Sequence, residues 1–138
     1  MNIGINLASI GPQAVLQVEA EATNRAFAAA NELKNASMEV LRGQRSGKTY
    51  KKPGGGTYTA SAPGEPPAVR TGRLRNSWRP VTNGMNPAIE LNVPVYPDYM
   101  EHGTPGGMIA PRPFVQKIVD QAEPQVTAIY NAPYNLHF

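Results

Sequence analysis

Apolar residues recur every three or four positions over the first third of the chain. Between residues 12 and 42 no glycine and no second proline interrupts this repeat, and most charged residues lie off it. The pattern predicts a long amphipathic helix over 12–42, which begins at Gly11-Pro12 because proline at the first helical position loses no hydrogen bond. Eight alanines favour the helix and allow close packing. The apolar stripe consists of Val15, Val18, Ala22, Ala26, Ala29, Leu33, Ala36 and Val40.

A two-residue periodicity replaces the helical repeat in the second half of the chain. From Ile89 to Val95, apolar residues alternate with polar or turn-forming ones, which is typical of a half-buried strand. Asn83-Gly84 is a strong signal for a two-residue hairpin turn, so a partner strand is predicted from Trp78. Residues 71–110 are therefore predicted to hold a turn and antiparallel strands. Pro94 marks an edge or a bulge, because proline donates no hydrogen bond.

The remaining pattern predicts two further helices. A short turn of helix over 96–102 is expected to end at Gly103. Pro111 opens a helix over 111–131, in which Pro124 predicts a kink or two abutting helices. The sequence thus predicts one α+β domain over 1–138, with a long N-terminal helix packed on a small antiparallel β-sheet and a C-terminal helix.

Glycine and proline fall mainly between the two long helices. Of 13 glycines and 14 prolines, 11 of each lie in residues 43–113. Residues 43–70 have no apolar periodicity and contain three consecutive glycines, so they are predicted to form an extended basic loop. A loop of this length is either functional or unstructured in the isolated chain, and a partner subunit is the simplest agent that would order it.

Positive charge is concentrated in the same part of the chain. Residues 42–79 carry nine basic residues and one acid, which gives +8, whereas the remainder carries −5 and the whole chain +3. Such a segment attracts phosphate or an acidic protein surface. Three interpretations are open: a solvated flexible loop, a nucleic-acid-binding module over 42–79, and a basic loop that meets the acidic body of the next subunit. The separation of the two signs favours the third.

Arginine is well suited to such an interface, because its planar guanidinium pairs with a carboxylate through two hydrogen bonds. Glu101 is the expected carboxylate partner for an arginine of a neighbour. The basic contact candidates are Arg45, Lys48, Lys51, Lys52, Arg70, Arg73, Arg75, Arg79 and Arg112.

Candidate catalytic chemistry is sparse. The chain has no cysteine, which excludes disulfides, thiol nucleophiles and cysteine-bound metals. GQRSGKT over 43–49 resembles a phosphate-binding loop, yet its spacer has one residue too few and a helix precedes it where a strand is needed. His102, beside Glu101 and near Asp98, lacks metal-motif spacing, and His137 has no local partner. We therefore expect no enzyme activity, no cofactor and no metal.

The sequence predicts neither a membrane span nor a signal peptide. No apolar run approaches the roughly 20 residues of a membrane span, and the first residues lack the basic flank and apolar core of a signal peptide. We expect synthesis in a reducing cytoplasm.

Two segments carry a more specific signal. APGEPPAVRTGRLRNSW, residues 62–78, resembles the P-x-x-T-G-x-L-R-x-S segment of the tail-completion proteins of long-tailed bacteriophages, a head–tail joining (neck) family. YPDYMEHGT (96–104) followed by APRPFVQKIVDQA (110–122) is similar to that family's second signature, a tyrosine-rich turn ending in E-x-G-T before A-R-P-F and the final helix. The matched positions are Thr71, Gly72, Leu74, Arg75, Ser77, Tyr96, Tyr99, Glu101, Gly103, Thr104, Ala110, Arg112, Pro113 and Phe114.

Together with the long N-terminal helix, the resemblance spans nearly the whole chain. It departs from the family's pattern at the inserted Pro111 and at the long basic loop over 43–61. It implies a non-enzymatic virion protein that forms a homo-oligomeric ring at the neck, with a hexamer favoured over a dodecamer. Such a ring joins the head connector or stopper to the tail terminator or tube, and DNA passes through its lumen without sequence-specific binding. A neighbouring neck ring component, terminator or connector, is the alternative within this class.

Some motif residues are better explained as fold determinants than as contacts. A threonine and a glycine supply a helix cap and a tight turn, and apolar side chains anchor the helices on the sheet. The predicted fold determinants are Thr71, Gly72, Leu74, Trp78, Gly103 and Phe114.

Overall fold

The computed structural model describes residues 1–3, 7–69, 72–83, 85–91 and 96–135. It confirms the α+β class: a long N-terminal helix, two small antiparallel two-stranded sheets and a C-terminal helix. The elements are α1 (Leu7–Val40), β1 (Thr49–Lys51), β2 (Thr57–Thr59), α2 (Arg73–Asn76), β3 (Trp78–Asn83), β4 (Asn86–Leu91), α3 (Tyr96–His102) and α4 (Val115–Asn131).

The long helix α1 begins at Leu7, five residues before the predicted start. Pro12 therefore lies inside the helix, where its missing N–H removes one backbone hydrogen bond without ending the helix. The helix ends at Val40, and Gly43 follows with a φ of +108°, a left-handed conformation that glycine adopts without steric cost.

The sheet predicted after residue 71 is the hairpin β3–β4. Trp78 begins β3 as predicted, and its register partner is Leu91. Asn83 pairs with Asn86, so the two-residue connection lies one position later than Asn83-Gly84 suggests. Gly84 and the predicted strand positions Val93, Pro94 and Val95 lie outside the described residues.

The prediction of a loop without regular structure over 43–70 is wrong in its middle. Residues 49–51 and 57–59 pair as a second, separate antiparallel hairpin, β1–β2. Its register places Tyr50 opposite Tyr58, and the two rings stack with centroids 5.6 Å apart. Gly54, Gly55 and Gly56 have positive φ in the turn. The three consecutive glycines therefore allow the tight turn between the two strands.

The core lies where α1 crosses β3–β4 and α4. The two long helices run antiparallel, because the C-terminal part of α1 packs against the start of α4 and Arg25 reaches its end. Ala26, Ala29 and Ala30 are fully buried, which lets the neighbouring backbones approach closely. A second buried cluster, which includes the larger side chains of Leu41, Phe114 and Ile118, lies near the C-terminal end of α1. Its members are Ala36, Leu41, Phe114, Ile118 and Ala122.

The C-terminal helix begins at Val115, four residues later than predicted, because Pro111-Arg112-Pro113 leads into the helix without joining it. Pro124 lies within one continuous helix of 17 residues, so two abutting helices are not formed. Ile118 and Ala122, one turn apart, are the buried residues of α4.

Candidate interaction surface

The predicted contact arginines are mostly hydrogen-bonded within the chain. Arg45 follows α1 and donates from Nε to the carbonyl oxygen of Pro66 (2.8 Å) and from Nη2 to that of Val40 (2.9 Å). It thereby satisfies a free carbonyl at the end of α1 and ties residues 66–67 to it. Burial lowers the pKa of Arg45, against the opposing effect of Glu65.

Three further arginines have partners in the same chain. Arg75 donates to the carbonyl oxygen of Met38 on α1 (2.9 Å), and Arg112 donates to the carbonyl oxygens of Ser61 (3.2 Å) and Ala110 (2.9 Å). Arg73 is also engaged within the chain. Arg75 and Arg112 hold segments of the body together, and an additional role for the three arginines at an interface stays a prediction. Arg70 lies outside the described residues.

Arg79 is largely exposed, and its partner is a side chain. It forms an ion pair with Glu90 across the β3–β4 ladder, where the two residues are direct register partners. An exposed pair of this kind contributes little to stability, about 0–1 kcal/mol, so Arg79 stays accessible to a neighbour.

Glu101 links the two halves of the second signature. Its Oε2 accepts hydrogen bonds from the backbone N–H of Phe114 (2.7 Å) and of Val115 (3.2 Å). These amides belong to the start of α4, where the helix has no N-terminal side-chain cap of its own. A carboxylate at this position is also favoured by the helix dipole. The pairing of Glu101 with an arginine of a neighbour stays a prediction.

Replacing Glu101 with glutamine should lower the free energy of unfolding by about 1 kcal/mol, because the neutral amide oxygen accepts the same two hydrogen bonds without the favourable charge. Glu123→Gln, an exposed position on α4, is the matched control and should change stability by only a few tenths of that amount. Urea unfolding measures both variants. Equal values for the two would contradict the capping role.

The predicted fold determinants mostly meet in one place. Trp78 and Phe114 pack edge to face, with ring centroids 6.2 Å apart, and Leu74 packs against the same cluster. Gly72 and Gly103 both have a φ of +79°. At Gly103 a Cβ would lie 2.8 Å from the carbonyl oxygen of Ile109, so the turn after α3 requires glycine. The last member of the set, Thr71, lies outside the described residues.

Glu65 closes the base of the β1–β2 hairpin. Its carboxylate accepts a short hydrogen bond from the Ser46 hydroxyl and further bonds from the backbone N–H of Ala62 (2.8 Å) and of Ser46 (3.0 Å). The Ser46 hydroxyl, followed by these two amides, lowers the pKa of Glu65 to about 2. Ionised Glu65 therefore favours the folded turn above its ordinary pKa, and this contribution is lost as the pH falls towards 2.

A carboxyl titration by NMR should therefore give Glu65 a midpoint near 2. Ser46→Ala removes the largest cause of the shift, so it should move the midpoint up towards the ordinary glutamate value. Glu65→Gln should flatten the loss of stability between the ordinary pKa and pH 2. A midpoint in the ordinary range for the unmodified protein would contradict the geometry of this turn.

The basic hairpin, residues 48–60, carries the three lysines predicted as contacts, Lys48, Lys51 and Lys52. Residues 48–57 are all exposed, and the lysines at 51 and 52 lie at its turn. The ammonium group of Lys48 lies 5.5 Å from the centre of the Tyr50 ring, within range of a cation–π contact. The hairpin thus presents positive charge beside an aromatic stack, on strands whose main contacts are with each other.

The segment that resembles a phosphate-binding loop and His102 both lie in described parts of the chain. Residues 43–49 lie between α1 and β1, so a helix precedes the GQRSGKT segment and a strand follows it, the reverse of the order that phosphate binding needs. Within the described part of the chain, no three histidine, aspartate or glutamate side chains converge as a metal site requires. His102 lies at the end of α3, and His137 lies outside the described residues.

One important residue, Arg25, is not among the candidate residues predicted from the sequence. Its guanidinium is 5% exposed, pairs with Glu21 (3.1 Å) and lies over the ring of Tyr134 (4.1 Å). Its spacing gave a signal, since position 25 lies three residues after Ala22 and four before Ala29 on that stripe. Its carbonyl acceptors at the end of α4 are Ile129 (3.1 Å), Tyr130 (3.1 Å) and Pro133 (2.9 Å).

Comparison of this chain with family models, with curated protein sequences and with solved structures finds no match. The candidate surface therefore rests on the geometry of its own residues. Of the helices in the described residues, none combines the length and the apolar character that crossing a membrane requires.

Proposed function

We propose that this protein is a structural component of a tailed bacteriophage particle, which forms a ring at the neck between the head connector and the tail. The observation that carries the proposal is the meeting of the two signature segments in space. Trp78 from the first packs on Phe114 from the second, and Glu101 binds the amide of Phe114. Residues 62–78 and 96–122 thus form one structural unit around the start of α4.

The described geometry also supports assembly as the function. The hydrogen-bonded arginines stabilise the body, whereas residues 48–57 of the basic hairpin are exposed and residues 11–24 of α1 are exposed or half-buried. Two different exposed elements on each copy allow a head-to-tail contact, and head-to-tail contacts form a closed ring where the rotation between copies closes. The ring leaves a lumen for DNA and performs no catalysis. Tail completion is the favoured position, with terminator and connector rings as its neighbours.

Native mass spectrometry of the full chain tests this function directly. We expect one closed species whose mass is six times that of the chain, or twelve times if the ring matches the portal. Negative-stain images should show rings with a central opening. A protein that stays monomeric alone and in the presence of purified connector and tail tubes would overturn the proposal.

The basic hairpin also favours a second candidate, a nucleic-acid-binding module, because Lys48, Lys51 and Lys52 flank a tyrosine stack. This function predicts salt-dependent DNA affinity, with the log–log slope reduced by about 2 when Lys51 and Lys52 become alanine. The neck function predicts weak DNA binding that these substitutions leave unchanged. Fluorescence anisotropy with a DNA duplex at several salt concentrations separates the two functions.

A further inference from the structure

The apolar stripe of α1 is covered over only part of its length. From Arg25 onwards it packs on the body, and Ala26, Ala29 and Ala36 are buried. Before that point every residue from 11 to 24 is exposed or half-buried. Val15 and Leu16 are 55% and 67% exposed. We call residues 11–24 the projecting segment of α1.

The described body covers α1 at least as far as residue 23. Thr23 lies beside Met85 near the turn of β3–β4, and Arg25 lies at the end of α4. The helix continues N-terminally to Leu7, about 24 Å beyond this point at 1.5 Å per residue. An apolar stripe on a helix that extends beyond its own core is typical of a surface that another chain covers.

We propose that the projecting segment of α1 is the docking site for the basic hairpin of a second copy of this chain. The proposal rests on the neck-ring function and specifies the contact that closes the ring. The stacked Tyr50 and Tyr58 would cover the stripe at Val15 and Val18, and the hairpin lysines would meet Glu19 at its edge.

The charges of the two elements favour the basic hairpin as the partner of the projecting segment. Residues 11–24 contain no base and two acids, Glu19 and Glu21, of which Glu21 pairs with Arg25 of its own chain, whereas residues 48–60 contain three lysines and no acid. Two projecting segments packed on each other would bring like charges together. A hairpin against a projecting segment brings opposite charges together and buries aromatic surface on aliphatic surface.

The geometry requires that the hairpin come from another copy. The hairpin leaves the body near the C-terminal end of α1, and Leu16 lies about 37 Å from Leu41 along the helix. The hairpin extends only about 20 Å at 3.3 Å per residue, so it does not reach the projecting segment of its own chain. Each copy thus offers one hairpin and one projecting segment, at opposite ends of α1.

The absence of native cysteine allows a direct cross-linking test on the full chain. Val15→Cys and Lys51→Cys are made as separate proteins, mixed, and treated with a short bismaleimide. We expect covalent dimers from the mixture and several-fold fewer from either variant alone. The double variant should give a ladder that ends at the ring's copy number. Met108→Cys, an exposed position after α3, replaces Lys51→Cys in the control mixture and should yield few dimers.

Association measured by sedimentation gives a second readout. Val15→Asp and Lys51→Glu/Lys52→Glu should each weaken association about tenfold or more, and Lys34→Glu should not. Rings that form without the cross-link would overturn the docking site and leave the neck function standing, whereas a monomer at every concentration, with purified connector and tail tubes present as well, would overturn both. Efficient cross-linking of Val15→Cys alone would show helix-to-helix pairing instead. Hairpin substitutions that abolish DNA binding and leave the mass unchanged would assign the hairpin to nucleic acid.

Discussion

Phe114→Ala is expected to lower the free energy of unfolding by about 4 kcal/mol. Phe114 is 2% exposed, and it is the largest of the fully buried side chains in the described part of the chain. It packs edge to face on Trp78 and shares the core cluster with Leu41 and Ile118. Truncation removes the apolar surface of the ring and leaves a cavity that α1 and α4, both long rigid helices, close only partly.

The adjacent residue provides the control for this substitution. Val115→Ala changes a side chain that is 48% exposed, so it should cost about 0.5 kcal/mol or less. Urea unfolding at a fixed protein concentration measures both, since assembly would shift the apparent stability. If the Phe114 variant lost no more than about 1 kcal/mol, the joint core of the two signature segments would be wrong.

Arg25→Ala is expected to lower the free energy of unfolding by about 3 kcal/mol. The guanidinium donates to three carbonyl oxygens at the C-terminal end of α4, where the negative end of the helix dipole favours a cation. Removing it leaves these acceptors and the Glu21 carboxylate without their donor. The loss falls at the end of α4, far from the Phe114 cluster, so the two substitutions should be nearly additive.

Two further variants separate charge from geometry at this site. Arg25→Lys keeps the charge, but one ammonium group does not replace the planar guanidinium that donates to three carbonyl oxygens. We therefore expect it to recover less than half of the unfolding free energy that Arg25→Ala loses. Arg42→Ala removes an exposed arginine that pairs with Glu39 and should cost about 0.5 kcal/mol or less. Hydrogen exchange should show the last turn of α4 opening first in the Arg25 variants. Unchanged protection there would contradict its role at the helix end.

The sequence predicts the long-range order of the elements well, because periodicity reports which side of an element faces a core. The helix that carries the stripe, the strand from Trp78 and the helix end at Gly103 are all confirmed. Periodicity does not report how much of a helix the rest of the chain covers. The same stripe is buried at Ala29 and exposed at Val15, and only the tertiary structure shows the difference.

The partners of charged side chains could not be predicted for a similar reason. Arg45, Arg112 and Glu101 bond mainly to backbone groups, which look alike in every sequence. Their roles depend on which helix ends come near them. The β1–β2 hairpin was missed because its strands are only three residues long and both are polar, so they carry no apolar alternation.

We propose that this chain forms a ring in the neck of a phage particle. A symmetry-resolved cryo-electron microscopy map of that neck, with this chain fitted into it, tests the claim most directly. We expect a closed ring coaxial with the portal, in which the basic hairpin of each copy lies on the projecting segment of α1 of the next. A neck map that contains no density for this fold, from particles in which the protein is present, would contradict it.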